Sequence, residues 1–280
     1  MATYARQQDA ARRTRTAKAL RIGSVSFLNA KPLIYGLDEV SGVELGLEVP
    51  SKLLDGMRRG RYDVALLPVI DYQRMDGLRL LTSGGIGCDG PTLTVRIFSP
   101  VPIEQIKTLA CDTDSHTSVA LARVILAEQY GIRPEFVALD ALREGQAASD
   151  VANLLIGDKV VAQEPPRSLM PHQLDLGGAW KDLTGLPFVF AAWMARDGVE
   201  LGDLPGVLER AKVEGLAHVD QIIASEAAPR GWPADVARRY LAEYLKFDIG
   251  DRRLAAIEHF HDLAFRHGAL ADLPRKLRLV

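Results

Sequence analysis

The chain has 280 residues, 48% of them hydrophobic and 25% charged, which is enough apolar surface for one large domain or two modest ones sharing a boundary. A formal net charge of −2, with no dense Lys/Arg face, excludes a nucleic-acid groove, since that needs a concentrated basic footprint. No window reaches the roughly 18 consecutive apolar residues of a membrane span, and no Gly, Ser or Pro run is long enough for a flexible linker, so no membrane partner is expected and any two lobes are tightly joined.

Residues 1–18 are rich in Arg, Gln and Ala and lack the apolar centre of a secretory signal; they read as a frayed tail on a cytoplasmic protein. Residues 22–28, IGSVSFL, predict a strand, followed by the polar loop Asn29-Ala30-Lys31-Pro32 and a helix with Pro32 in its first turn. A second strand over 44–49 leads to Ser51 as N-cap, a helix with Leu53, Leu54 and Met57 on one side, and Gly60 as its stop. The run 63–68, DVALLP, predicts a strand buried on both faces, as in a parallel sheet.

The second third repeats this order: a strand over 108–111, a polar loop over 112–115, and an amphipathic helix over 117–130 stopped by Gly131. A strand over 134–139, a short helix over 142–148 and the segment 150–157, DVANLLIG, complete the echo of the first unit. Two successive β-loop-α-β-α-β units predict an α/β fold with two parallel-sheet lobes. Residues 91–99 and 186–196 predict two crossover strands, and three helical stretches over 204–225, 233–245 and 250–267 close the chain against the first lobe. The expected division is a tail over 1–18, a discontinuous first lobe over 19–95 and 192–280, and a second lobe over 96–191, with a ligand cleft between them.

In open α/β sheets a ligand lies beyond the carboxyl ends of the strands, where Asn29 and Ser115 both fall. Asn29 offers an amide donor and a carbonyl acceptor, or merely braces its loop. Ser115, Thr117 and Ser118 open the strongest helix, whose free N–H groups and dipole favour an anion; capping alone would account for them equally well. Gly90 belongs to a glycine-dense turn before Thr92 and Thr94, two hydroxyls that a strand would carry on one face. Asp158 either meets a ligand or caps the helix after the second DVA strand. Cys88 and Cys111 read as free thiols, and His259 and His261, two apart on a helix, cannot share a metal. No nucleophilic triad, paired-carboxylate grouping, phosphate loop or dinucleotide motif is present, so neither metal nor cofactor is expected.

Five stretches, SFLNAKPLIYGL (26–37), GCDGPTLTVRIFS (87–99), DSHTSVALARVILAE (114–128), LLIGD (154–158) and GGAWKDLTGLPFVFAAW (177–193), together resemble the chorismate dehydratase family. That family opens the futalosine route to menaquinone and is similar to type II periplasmic binding proteins retained in the cytosol. The resemblance implies a two-lobed clamp taking chorismate to 3-[(1-carboxyvinyl)oxy]benzoate and water, without cofactor. It implies catalytic roles for Asn29 and for Thr94, where relatives can carry serine, and substrate binding by Ser26, Gly90, Thr92, Ser115, Thr117, Ser118 and Asp158. His116 stands where some relatives have Arg, which weakens the case for a fixed positive charge at that helix. Two alternatives stay open: the related naphthoate-forming cyclase of the same pathway, whose opening loop differs from Asn29-Ala30-Lys31-Pro32, and a non-catalytic binding protein for a small carboxylate. The oligomeric state is not legible.

Overall fold

A computed structural model describes residues 19–142 and 151–280; the expected tail over 1–18, most of the helix over 142–148 and Asp150 lie outside the described residues. Among the described residues the strands are β1 (Leu20–Val25), β2 (Val43–Glu48), β3 (Val64–Pro68), β4 (Leu78–Cys88), β5 (Val95–Ser99), β6 (Thr108–Cys111), β7 (Glu135–Ala138), β8 (Ala152–Ile156), β9 (His172–Asp175), β10 (Phe188–Arg196) and β11 (Leu245–Lys246). The helices are α1 (Pro50–Arg58), α2 (His116–Tyr130), α3 (Leu139–Leu142), α4 (Asp158–Ala162), α5 (Leu176–Thr184), α6 (Leu204–Ala217), α7 (Val219–Glu226), α8 (Ala234–Arg239) and α9 (Asp251–Arg266). No helix among the described residues is long and apolar enough to cross a membrane.

The first sheet has the order β11-β4-β10-β3-β1-β2 and the second β7-β6-β8-β5-β9. Each keeps a parallel core, β2-β1-β3 in one and β7-β6-β8 in the other, and each is extended by antiparallel strands. Every residue of β3 and of β8 is buried, which is why both read as unbroken apolar runs. The chain crosses between sheets twice, through residues 89–94 and through residues 176–187, which include α5. Val95 pairs with Ile156 in the second sheet, and Phe188 and Val189 pair with Cys88 and Gly87 in the first.

Local structure departs from the pattern where glycine or proline blurred it. The long strand β4 was not expected, because its SGGIG segment carries little strand propensity. Those glycines are needed by the partner strand: a Cβ at Gly85 would lie 2.5 Å from the Ala191 carbonyl oxygen, and one at Gly87 2.5 Å from that of Phe188. The segment after β1 is a 3₁₀ helix over Leu28–Ile34 with Pro32 inside it, so Asn29 sits within a helical turn and not in a loop before one. It has no side-chain cap and is held by burial of Leu28, Leu33 and Ile34, each contributing about 1.5–3 kcal/mol. Helix α6 is laid directly across it, since a Cβ at Gly215 would meet the Pro32 carbonyl oxygen at 2.2 Å. Ser51 does not cap α1, whose N-cap is Val49; its N–H instead reaches the Asp114 carbonyl at 3.1 Å, from one sheet's half of the molecule to the other.

Candidate active site

Between the two sheets, at the carboxyl ends of β1, β3 and β8, lies a narrow cavity of about 50 Å³. Its polar lining is Asn29 from the 3₁₀ turn, Thr92 and Thr94 from the first crossover, Ser115 and Ser118 from α2, and Tyr240. Phe27, Leu66, Ile86, Ile156 and Phe190 supply apolar walls. No Asp, Glu, His, Lys, Arg or Cys is among the residues lining it. A larger groove of about 750 Å³ lies elsewhere, along α1 and residues 269–275. Its guanidinium groups are already matched, Arg58 with Asp55, Arg74 with Asp71 and Arg275 with Asp76. The smaller cavity is the better site because neutral donors and acceptors from four segments converge there.

Tyr240, which sequence reasoning missed, organises the floor. It is 1% exposed, its ring stacks on Trp232 with centroids 4.9 Å apart, and its hydroxyl lies 2.7 Å from Thr94 Oγ1. Burial pushes the phenol well above its ordinary range, against hydrogen bonds from Thr94 and Asn29 that favour the ionised form. It is therefore neutral near pH 7, a hydrogen-bonding group and not a base. Tyr240 opens a π-helical turn, Tyr240–Tyr244, at the end of α8. Such turns recur at functional sites, but nothing in the residue pattern over 233–245 separates one from an ordinary helix.

Asn29 faces Tyr240, and its Oδ1 is buried without a hydrogen-bond partner. A buried carbonyl oxygen left unsatisfied costs about 1–3 kcal/mol, so the atom is poised to accept from a donor entering the cavity. On α2, Ser115 is the N-cap: its Oγ accepts from the Ser118 N–H at 3.3 Å and lies 2.9 Å from the Ser118 Oγ. Three residues apart on a helix, both hydroxyls share the cavity face.

The other expected residues are placed around this cavity rather than on its lining. Thr117 lies on a different face of α2, where its Oγ1 accepts from the Ile70 N–H at 3.3 Å. The neighbouring His116 Nδ1 is 2.9 Å from the Asp71 carboxylate. Ser26 contributes a carbonyl to Arg230 at 3.2 Å. Gly90 makes a turn at φ +134°. Asp158 neither lines the cavity nor caps α4, whose N-cap is Gly157. Its carboxylate accepts from the Trp232 indole at 2.9 Å and the Leu28 N–H at 3.4 Å, with Arg230 at 3.6 Å, tying the two halves together. Burial raises its pKa despite those donors. Cys88 and Cys111 are free and buried, each thiol pushed up to about 12 by burial.

Residues 20–266 match the model of a family described as menaquinone biosynthesis. The chain belongs to that family. This menaquinone-biosynthesis protein is 28% identical over 236 residues to the chorismate dehydratase of Thermus thermophilus, covering 79% of the chain and 86% of that relative. Among solved structures it is similar to protein AF1704 of Archaeoglobus fulgidus, with a TM-score of 0.69 and 17% identity over 91% of this chain and all of the other. It is also similar to the periplasmic aliphatic sulphonate binding protein SsuA of Escherichia coli, with a TM-score of 0.63 and 16% identity over 95% and 94% of the two chains. At these identities the likeness speaks to the fold alone, which is the expected periplasmic-binding-protein-like architecture of two α/β halves.

Proposed function

We propose that this protein is a cofactor-independent hydro-lyase of the cytosol that converts chorismate to 3-[(1-carboxyvinyl)oxy]benzoate and water. The observation that carries this reading is the buried, unpartnered Asn29 Oδ1 beside the Thr94–Tyr240 hydroxyl pair, in a cavity whose lining includes no side-chain carboxylate, imidazole or amine. A site with neutral donors and no strong base suits a substrate that brings its own base. In our reading the enolpyruvyl carboxylate takes the proton from the ether-bearing ring carbon, the neighbouring ring hydroxyl leaves with a proton as water, and the ring becomes aromatic, which supplies the driving force.

The residues then hold a conformation rather than attack. Asn29 Oδ1 accepts from the departing hydroxyl, Thr94 hydrogen-bonds the ring substituents, and Ser115 and Ser118 at the start of α2 receive a carboxylate without a fixed cation. Thr92 completes the wall beside them. Ser26, Gly90, Thr117 and Asp158 contribute by holding the segments that carry these groups.

Incubating purified protein with chorismate, without added metal or cofactor, and separating the products by chromatography tests the proposal. The enolpyruvyl benzoate is expected. Chorismate that disappears no faster than its spontaneous decay would sink the assignment. Asn29→Ala should lower turnover by about two orders of magnitude while shifting the unfolding midpoint little, and parent-like turnover in the folded variant would remove Asn29 from the mechanism.

A further inference from the structure

The first crossover carries both cavity threonines and a backbone anomaly between them. Leu93 has φ +69°, and no other described non-glycine residue has a positive φ. A bulky side chain in that region is strained and persists only where its surroundings impose it. Those surroundings are the end of β9 and the start of α5. The Asp175 carboxylate accepts from the Thr92 N–H at 2.9 and 3.1 Å, from the Leu93 N–H at 2.7 Å and from the Gly178 N–H at 3.0 Å. Gly177 completes the seat: a Cβ there would lie 2.7 Å from the Gly90 carbonyl oxygen and 3.1 Å from the Thr92 Cβ, so glycine alone admits so close an approach.

We infer that Asp175 is a positioning residue for the cavity: its carboxylate clamps residues 92–94 in a left-handed kink that carries the chain from one sheet to the other with Thr92 and Thr94 still facing the ligand space. Asp175 is not among the residues lining the cavity and acts through two backbone amides. Three charge-assisted bonds from one carboxylate offset the strain at Leu93. Thr94 leaves this kink with its hydroxyl against Tyr240 and its carbonyl bonded to the Gly157 N–H at 2.8 Å, so a relaxed residue 93 displaces both contacts.

Asp175 also caps α5, and the test separates the two roles. Asp175→Ser keeps a side-chain oxygen suited to the Gly178 N–H but too short to span residues 92 and 93 as well. The turnover readout rests on the dehydratase reading above; the structural readout does not. In Asp175→Ser, kcat/KM on chorismate should fall by at least about tenfold, and its crystal structure should show residue 93 at negative φ with Thr94 Oγ1 withdrawn from Tyr240. Adding Leu93→Gly should recover most of the loss, because glycine takes a positive φ freely. Leu93→Val alone, with Asp175 intact, should lower kcat/KM, because a β-branched residue resists that φ. Parent turnover and parent geometry in Asp175→Ser, or a loss that Leu93→Gly leaves unrepaired, would overturn the clamp, as would parent turnover in Leu93→Val should the serine variant not fold. If the parent leaves chorismate unchanged, the dehydratase reading fails and the crystal structures alone decide the clamp.

Discussion

The Tyr240 hydroxyl and Thr94 Oγ1 stand 2.7 Å apart across a sequence separation of 146 residues, one carried by the π turn after α8 and the other by the first crossover. That pairing joins the C-terminal helices to the floor of the cavity. Replacing Tyr240 by Phe keeps the ring on Trp232 and removes only the hydroxyl. Turnover of chorismate should fall by about tenfold to a hundredfold, because Asn29 and Thr94 both lose the partner that orients them, while stability changes by about 1 kcal/mol. Steady-state kinetics beside urea unfolding checks this, and a variant losing stability but not turnover would contradict it.

The architecture was legible because its carriers are local patterns. The runs 63–68 and 150–157 announce the buried parallel strands β3 and β8, and Gly131, at φ +66°, ends α2 where the periodicity stops. Asn29, Thr92, Thr94, Ser115 and Ser118 each sit in a quoted motif at the end of a strand or the start of a helix, and the cavity gathers all five. Thr117 shows the limit of such reading: adjacent helical residues are about 100° apart, so a polar triplet at a helix start divides between two faces. Tyr240 and Asp175 were beyond reach for another reason. A tyrosine within a helical stretch and an aspartate before a GG pair have no local signature, and their roles exist only through contacts made more than 80 residues away.

Asp63 joins the start of β3 to β1 and β10. Its carboxylate lies 2.8 Å from Arg21 Nη2 and 2.8 Å from Arg196 Nη2. Burial alone would raise its pKa, but hydrogen bonds from the Arg21 side chain and backbone and from Arg196 outweigh burial and hold it at about 2. A carboxylate depressed on folding stabilises fully above its unfolded value of 3.8, and that contribution is lost as the pH falls through about 2. With the two arginines partly in solvent, the contribution is about 1–2 kcal/mol. Asp63→Asn should cost that much at pH 7, and the gap between parent and variant should close towards pH 2 in urea titrations.

His261 acts in the same direction, losing stability as the pH falls, but over a higher window. It is 1% exposed in α9, with Nε2 2.9 Å from the Val69 carbonyl oxygen and Nδ1 2.9 Å from the Gln73 side-chain nitrogen. Burial lowers its pKa to about 4, against weaker raising effects of the Val69 carbonyl, Asp262 and Glu258. The unfolded chain takes up a proton near 6.5 that the folded chain refuses until about 4, so stability from this group is complete above 6.5 and falls as the pH drops to 4. The full loss is about 3 kcal/mol. Imidazole resonances followed by NMR should show His261 unprotonated at pH 5, and His261→Gln should flatten the stability profile between pH 6.5 and 4. Protonation of His261 near pH 6.5 in the folded protein would contradict the assignment.

The cavity of about 50 Å³ is far below the roughly 300 Å³ or more that a ring-bearing ligand fills, so on the proposed reading the two halves part to admit one. The Trp232 indole bond to Asp158, at 2.9 Å, is one of the contacts holding them together, beside the Ser51 N–H to Asp114 carbonyl bond at 3.1 Å. Trp232→Phe removes the first bond and keeps an aromatic ring on Tyr240. Losing a bond to this half-buried carboxylate shifts the open-to-closed balance by about 1.5–3 kcal/mol, or tenfold and more. Because the same bond is present in the closed state with or without ligand, affinity should change little so long as the free protein remains mostly closed, whereas association should quicken in proportion to the open fraction. Stopped-flow binding should therefore show faster association matched by faster dissociation. Unchanged association and dissociation would mean that this bond does not govern opening.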